Sequence, residues 1–257
     1  MQDAPAGSSR DTRDLARLYS EVSHWQRVRG IRLIETAAPE EAEHVLDIGC
    51  GTGELAAELA RRVGPDGRIT AIDPDPQRLA QARAQFGSAN PTIQFVQTTA
   101  EDLSVVSDGS VDLIYSNYVL HWVLDQNRLF SEVERVLRPG GRMVTEFLGA
   151  PIETLIELLL MMPDGATMLG ENTFLDEPGW RALIAPHALA VERLDWPETP
   201  LLYKNLQALF DWLEATSHGG FDHRKLSEKN LTILSRRFPD DIQLSCTGLR
   251  MVLRKTE

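Results

Sequence analysis

Two periods alternate along this chain. Strand-length runs rich in apolar residues occur at His44–Ile48, Arg68–Ile72, Thr92–Val96, Val111–Tyr115 and Arg142–Phe147. Between them apolar residues recur at helical spacing: Leu55, Leu59 and Val63, then Leu79, Ala82 and Phe86, then Leu129, Val133, Val136 and Leu137. Strand alternating with helix implies parallel pairing through right-handed crossovers, so this region predicts a doubly wound α/β sheet. Upstream, Asp11 to Ala38 reads as helix, with Leu15, Leu18 and Val22 and then Val28, Ile31, Leu33 and Ile34 before Pro39. Past Phe147 the rhythm breaks into a short apolar helix at Ile152–Met162, a Pro- and Gly-containing stretch, and a helix at Asp176–Ile184. A strand at Ala188–Leu194, helices over Leu201–Thr216 and Leu226–Phe238, and a closing strand at Leu244–Leu253 complete seven predicted strands.

The expected organisation is one domain over residues 11–257 behind a disordered tail at 1–10, whose Pro, Gly and Ser content offers no apolar core. Within it, 11–38 forms an N-terminal cap, 40–148 the ligand-binding core, and 151–175 and 200–240 are helical cap insertions. Open α/β sheets bind ligands beyond the carboxyl ends of their strands, so such additions would roof a second-substrate pocket.

Charge narrows the partners. With 26 Lys and Arg against 38 Asp and Glu the net charge is −12, which disfavours nucleic acid and anionic membrane surfaces. The longest apolar run, Leu158 to Met162, is far too short to span a bilayer. Only Cys50 and Cys246 occur, and the first lies in a glycine loop, so no disulfide framework is expected and a cytoplasmic location fits. Monomer and homodimer are both open.

The chemistry concentrates at Val45-Leu-Asp-Ile-Gly-Cys-Gly-Thr-Gly-Glu-Leu55. A strand runs into Gly49-x-Gly51-x-Gly53 and then a helix, which describes a tight turn beneath a ligand. The spacing is not the G-x-G-x-x-G of dinucleotide folds, and no Gly-Lys-Ser/Thr provides a phosphate handle. Instead Asp47 can face a cation such as an ammonium group. Asp73, twenty residues after Gly53, can accept from ribose hydroxyls, and Thr98 to Leu103 can edge an adenine. Together these describe adenosine joined to an amino acid.

The order of this loop, Ala71-Ile-Asp73-Pro74, Ala100-Glu101-Asp-Leu103, Val111-Asp-Leu-Ile114 and Leu137-Arg-Pro-Gly-Gly141 resembles the class I S-adenosylmethionine-dependent methyltransferases over residues 40–148. The resemblance implies a Rossmann-like methyltransferase fold and S-adenosyl-L-methionine as cofactor. By it, Asp47, Gly49, Cys50, Gly51 and Gly53 line the methionine part, Asp73 with Pro74 the ribose, and Thr99, Ala100 and Glu101 the adenine. Many members carry Asp at the position of Thr99, which makes Glu101 a second candidate for the adenine amino group. Two further segments, Tyr19 to Arg27 and Ser116 to Gln126, resemble the branch of juvenile hormone acid methyltransferases, with trans-aconitate and malonyl-carrier-protein methyltransferases nearby. These segments add Tyr19 and Asn117 to the cofactor set. They also imply that Gln26 and Trp122 hold the carboxylate of a small-molecule acceptor, an apolar isoprenoid-like acid first and a trans-aconitate-like acid second.

A carboxyl group is already ionised at neutral pH, so its methylation needs orientation and water exclusion rather than a base. His121 is the candidate base if the acceptor is instead a phenol, amine or ring carbon. Arg27, Arg29, Lys204 and Arg224 could serve a tricarboxylate. A cofactor-binding protein without turnover is the reading from a different class. His218-Gly-Gly-Phe-Asp222-His223 does not match a common zinc spacing, and no metal is expected.

Overall fold

The computed structural model describes residues 12–163, 165, 173–217 and 220–256; the tail expected at 1–10 lies outside them. Its sheet comprises β1 (His44–Ile48), β2 (Arg68–Asp73), β3 (Ile93–Gln97), β4 (Val111–Asn117), β5 (Leu137–Leu148), β6 (Leu189–Asp195), β7 (Glu198–Tyr203) and β8 (Ile242–Lys255). The order is β3-β2-β1-β4-β5-β8-β6, with β7 also on β8. The pairs from β3 to β5 are parallel, and those made by β8 are antiparallel.

The doubly wound sheet predicted from the pattern is present, with one strand more than expected. Leu201 to Tyr203 belong to β7 rather than to the start of a helix. Leu201 and Tyr203 are buried while Leu202 is 73% exposed, an alternation of two that only a strand satisfies. The helix begins at Leu206, where the Asn205 side chain caps it by accepting from the Ala208 amide. The N-terminal segment likewise divides, into α1 (Arg13–Val22) and α2 (His24–Ala37), at Ser23. The Ser23 amide closes the first helix on Tyr19, while its carbonyl opens the second on Arg27.

Successive residues of β1 feed opposite cores. Leu46 and Ile48 pack with α5 (Gln126–Val136) and α7 (Glu177–Ile184); Val45 lies in the cluster of α2, α3 (Glu54–Val63) and α4 (Pro76–Ala82). A third cluster joins α6 (Glu153–Leu160), α8 (Leu206–Thr216), α9 (Glu228–Arg237), β7 and the first half of β8.

Helix α2 is fastened to the sheet at several points. The Arg29 guanidinium donates to one oxygen of Glu146 on β5, and Arg250 on β8 donates to the other at 2.7 Å. Tyr115 Oη donates to the Gly30 carbonyl at 2.9 Å. A Cβ at Gly30 would fall 2.4 Å from Leu55 Cδ1, so glycine lets α2 come this near α3. Arg142 holds the end of α2 through the carbonyls of Ala37 and Ala38, both at 2.9 Å.

Glu146 is 1% exposed and neutralises two arginines. Glu146→Ala should therefore lower the unfolding free energy by about 3–5 kcal/mol, because it strands buried positive charge. Urea unfolding of the variant reads the loss.

Candidate active site

At the carboxyl end of β1 the chain reverses through Gly49, Gly51 and Gly53, all in the left-handed region at φ 74°, 54° and 90°. Space is also restricted there: a Cβ at Gly49 would meet Val119 Cγ2 at 2.2 Å, and one at Gly53 would meet Ala82 Cβ at 2.9 Å. The turn is tied to β2. The amides of Gly49 and Cys50 both donate to the Ile72 carbonyl, at 2.8 and 2.9 Å. The Gly51 amide donates to Asp73 Oδ2 at 2.9 Å, and the Asp75 amide to Asp73 Oδ1 at 2.8 Å. The neighbours of β1 leave it in opposite sequence directions, so this turn sits at the sheet's topological switch point.

Two cavities open here. The larger, about 350 Å³, takes in Tyr19, Gln26, Gly49, Asp73, Pro74, Asn117, His121 and Trp122 from the expected set. The smaller, about 140 Å³, takes in Asp47 and Cys50 and shares Tyr19, Gln26, Gly49 and Asn117 with the first. Thr99, Ala100 and Glu101 line neither cavity. Ala100 is buried in the core, Thr99 accepts through its carbonyl from the Asp102 amide, and the Glu101 carbonyl accepts from Arg128. Gly51 and Gly53 also line neither, and act through the backbone path they allow.

Acidic side chains outnumber basic ones around the smaller cavity, with Glu21, Asp47 and Glu54 set against Arg27. Asp47 is 2% exposed; burial, and then the nearby Asp73 carboxylate, push its carboxyl up to about 8. Its Oδ2 has no partner, and neither do the buried oxygens Gln26 Oε1 and Asn117 Oδ1. The Asn117 amide is oriented by donating to the Gln26 carbonyl at 3.1 Å. Three acceptors without a donor suit a cation that carries several N–H groups. The Cys50 thiol is held protonated by burial and by the same two carboxylates.

In the larger cavity, His121 and Trp122 form a single tight turn, Leu120–Trp122, with their rings 5.3 Å apart. The His121 carbonyl accepts from the Thr173 amide at 2.8 Å. The remaining wall is mostly apolar, with Ile152, Leu155, Ile156 and Leu159 arriving from α6 and the residue before it. The sequence reading missed Trp25, Tyr118 and Trp212 in this wall. Trp25 could have been suspected from its neighbour Gln26. Tyr118 has φ 60°, an uncommon conformation for an aromatic residue, and that signal exists only in the structure.

Among the described residues, the ligand atoms of Glu214, Asp222 and His223 gather within 4.8 Å of one another. The Arg224 guanidinium lies 2.7 Å from Asp222 and 3.6 Å from Glu214, so a cation already occupies that position. His218 lies outside the described residues.

Residues 46–145 match the family model of the methyltransferase domain. The chain is 38% identical over 116 residues to the trans-aconitate 2-methyltransferase of Deinococcus radiodurans, covering 45% of this chain and 42% of that protein. It is 36% identical over 126 residues to the malonyl-[acyl-carrier protein] O-methyltransferase of a Marinomonas species, covering 49% and 46%. The chain thus spans less than half the length of each relative. The fold matches the crystal structure of the YcgJ protein from Bacillus subtilis with a TM-score of 0.65 at 21% identity, covering 89% of this chain and 98% of that one.

Asp47 gives a pH dependence. Its folded-state pKa lies above the unfolded value of 3.8, so the stability it contributes is present below about pH 4 and is lost as pH rises towards 8. Between pH 5 and 8 the protein should lose stability that Asp47→Asn keeps, at most about 1.4 kcal/mol per pH unit. Denaturant titrations of both proteins across that range check it.

Proposed function

We propose, for a chain that carries a class I S-adenosylmethionine-dependent methyltransferase domain, that it methylates a carboxylate oxygen of an apolar small molecule. The residues fit the cofactor. Asp47, Asn117 and Gln26 offer buried acceptors for its ammonium group, and Asp73 with Pro74 borders the neighbouring part of the larger cavity, suited to the ribose. When bound, S-adenosylmethionine supplies a methyl group on a positively charged sulfur, which leaves as the neutral thioether.

The observation that carries this reading is the single larger cavity, bounded at one side by Asp73, Pro74, Gly49 and Arg78 and elsewhere mainly by apolar and aromatic side chains. The chain's task is to hold a carboxylate oxygen in line with the methyl group and keep water out. The acceptor enters ionised, its oxygen lone pair forms the new bond, and no proton moves, so no base is required. Gln26 and Trp122 line the same cavity and can orient that carboxylate as neutral donors.

An apolar acid is favoured over a tricarboxylate. Arg27, Lys204 and Arg224 do not line the larger cavity, Arg29 is bound to Glu146, and Arg78, which does line it, stacks 4.2 Å over the Tyr19 ring and donates to the Ala215 carbonyl. The names of the relatives, a trans-aconitate and a malonyl-carrier-protein O-methyltransferase, support a carboxyl acceptor in general. A second reading, a phenol, amine or ring-carbon acceptor with His121 as base, is favoured by the position of His121 in the cavity wall.

Methyl-labelled cofactor with a panel of apolar acids should yield base-labile methyl esters. Bound cofactor without ester from any acid would overturn the carboxylate reading, and transfer to phenols or amines would support the second. At saturating cofactor, turnover on an acid should stay flat from pH 6 to 9; a fall below about pH 7 that His121→Gln abolishes belongs to the base mechanism.

Cofactor affinity should behave differently from turnover. The ammonium group needs Asp47 ionised, so affinity rises by up to about tenfold per pH unit between pH 6 and 8 and then levels. Calorimetry on Asp47→Asn should show weaker binding with that slope removed.

A further inference from the structure

The buried polar atoms without a partner sort by chemistry. Around the smaller cavity they are acceptors, Asp47 Oδ2, Asn117 Oδ1 and Gln26 Oε1, the last two on residues that also border the larger cavity. In the wall of the larger cavity three more, on Trp25, Tyr118 and Trp212, are donors: two indole Nε1–H groups and a phenol hydroxyl. These come from three separate elements, α2, the residue after β4, and α8.

They form one cluster. The Trp25 and Tyr118 rings meet edge to face, with centroids 4.8 Å apart and planes at 86°, and Trp25 and Trp212 lie 5.8 Å apart. Tyr118 is fixed by its own backbone, whose amide donates to the Glu146 carbonyl at 2.6 Å, and by the Arg29 guanidinium 5.8 Å from its ring centre. That guanidinium is neutralised by Glu146 and so offers no free charge. Tyr203 stands beside Trp25, and Cys246 beside Tyr118, without hydrogen-bond geometry in either case. Burial pushes the Tyr118 phenol up, so it remains a donor at any working pH.

We propose that Trp25, Tyr118 and Trp212 form the specificity-determining wall of the acceptor chamber and grip the ionised head of an apolar carboxylic acid through neutral donors. This rests on the carboxylate reading above, and it transfers the grip from Gln26, whose unpartnered atom is an acceptor. Buried donors left unpaired favour a ligand that brings an oxygen, and the bond to a charged oxygen is the stronger kind. The ring faces take the apolar body. An ammonium head has no lone pair to offer the two indole N–H groups.

The test uses protein loaded with S-adenosylhomocysteine, with dodecanoic and farnesoic acids as probes and dodecylamine as the mismatched head. The chain has five tryptophans, and their indole N–H resonances can be assigned by Trp→Phe substitution. Titration with either acid should move the Trp25 and Trp212 indole protons downfield, whereas the amine should not. Tyr118→Phe, which keeps the ring, and Trp212→Phe should each weaken acid binding by about tenfold or more, with S-adenosylhomocysteine affinity unchanged. Bound acid with unmoved indole resonances, or with unchanged affinity in both variants, overturns the wall. Ester formation with unaltered KM in both variants overturns the wall alone. Acids that move the indoles yet are never methylated overturn the transfer reading and leave the wall. Failure of both acids to bind the unmodified protein overturns both.

Discussion

The Asp73 carboxylate joins the sheet to the site. One oxygen accepts the Gly51 amide and the other the Asp75 amide, so a single buried group sets both the glycine turn after β1 and the entry to the helix after β2. With the Ile72 carbonyl taking the two preceding amides of the turn, the loop is pinned to its neighbouring strand before any ligand binds. Such preorganisation matters because the cavity's geometry is then a property of the fold rather than of the bound state. It also has an electrostatic consequence. Asp73 stands near Asp47 in a region shut off from water, and the second carboxyl holds a proton up to about pH 8 that a bound cation would displace.

The other constraint is the attachment of α2. This helix carries Gln26 and Trp25 in one turn and Arg29 and Gly30 in the next. Glu146, Tyr115 and Arg142 each reach it from the sheet, and Gly30 lets it approach without a side chain in the way. An N-terminal addition could have been a loosely packed lid. Here its buried ion pair makes it part of the wall, and the same Glu146 fixes Tyr118 through its backbone carbonyl. Asp47 thus marks the smaller cavity and the indole and phenol groups the larger, while Gln26 and Asn117 border both. That arrangement suits a positively charged group and an oxygen-bearing partner brought together, with neutral donors that do not overstabilise the partner's charge before it is consumed.

Much of this was legible before the structure. The α/β alternation and the limits of β1 follow from apolar periodicity, because a parallel strand is buried on both faces and each helix on one. The glycine turn and Asp73 were legible because left-handed backbone and a strand-end carboxylate leave few alternatives at that spacing. Two errors were local. The split at Ser23 leaves the helical pattern almost unbroken, and three residues of alternation at Leu201 to Tyr203 are too short to distinguish from the helix that follows.

What the residues determined, then, was the core and the backbone course of the first turn, since both depend on periodicity and on conformations that few residue types tolerate. The acceptor chamber was decided elsewhere. Trp25, Tyr118 and Trp212 follow one another at intervals of 93 and 94 positions in sequence, and any of them alone reads as an ordinary core aromatic. Only the packing of α2, the β4 turn and α8 brings their donors to one wall and leaves them unpaired. The same holds for Thr99 to Glu101, which share a motif with the site yet line neither cavity. Unsatisfied hydrogen-bonding capacity is a property of an environment, and no residue carries it until the chain has folded around it.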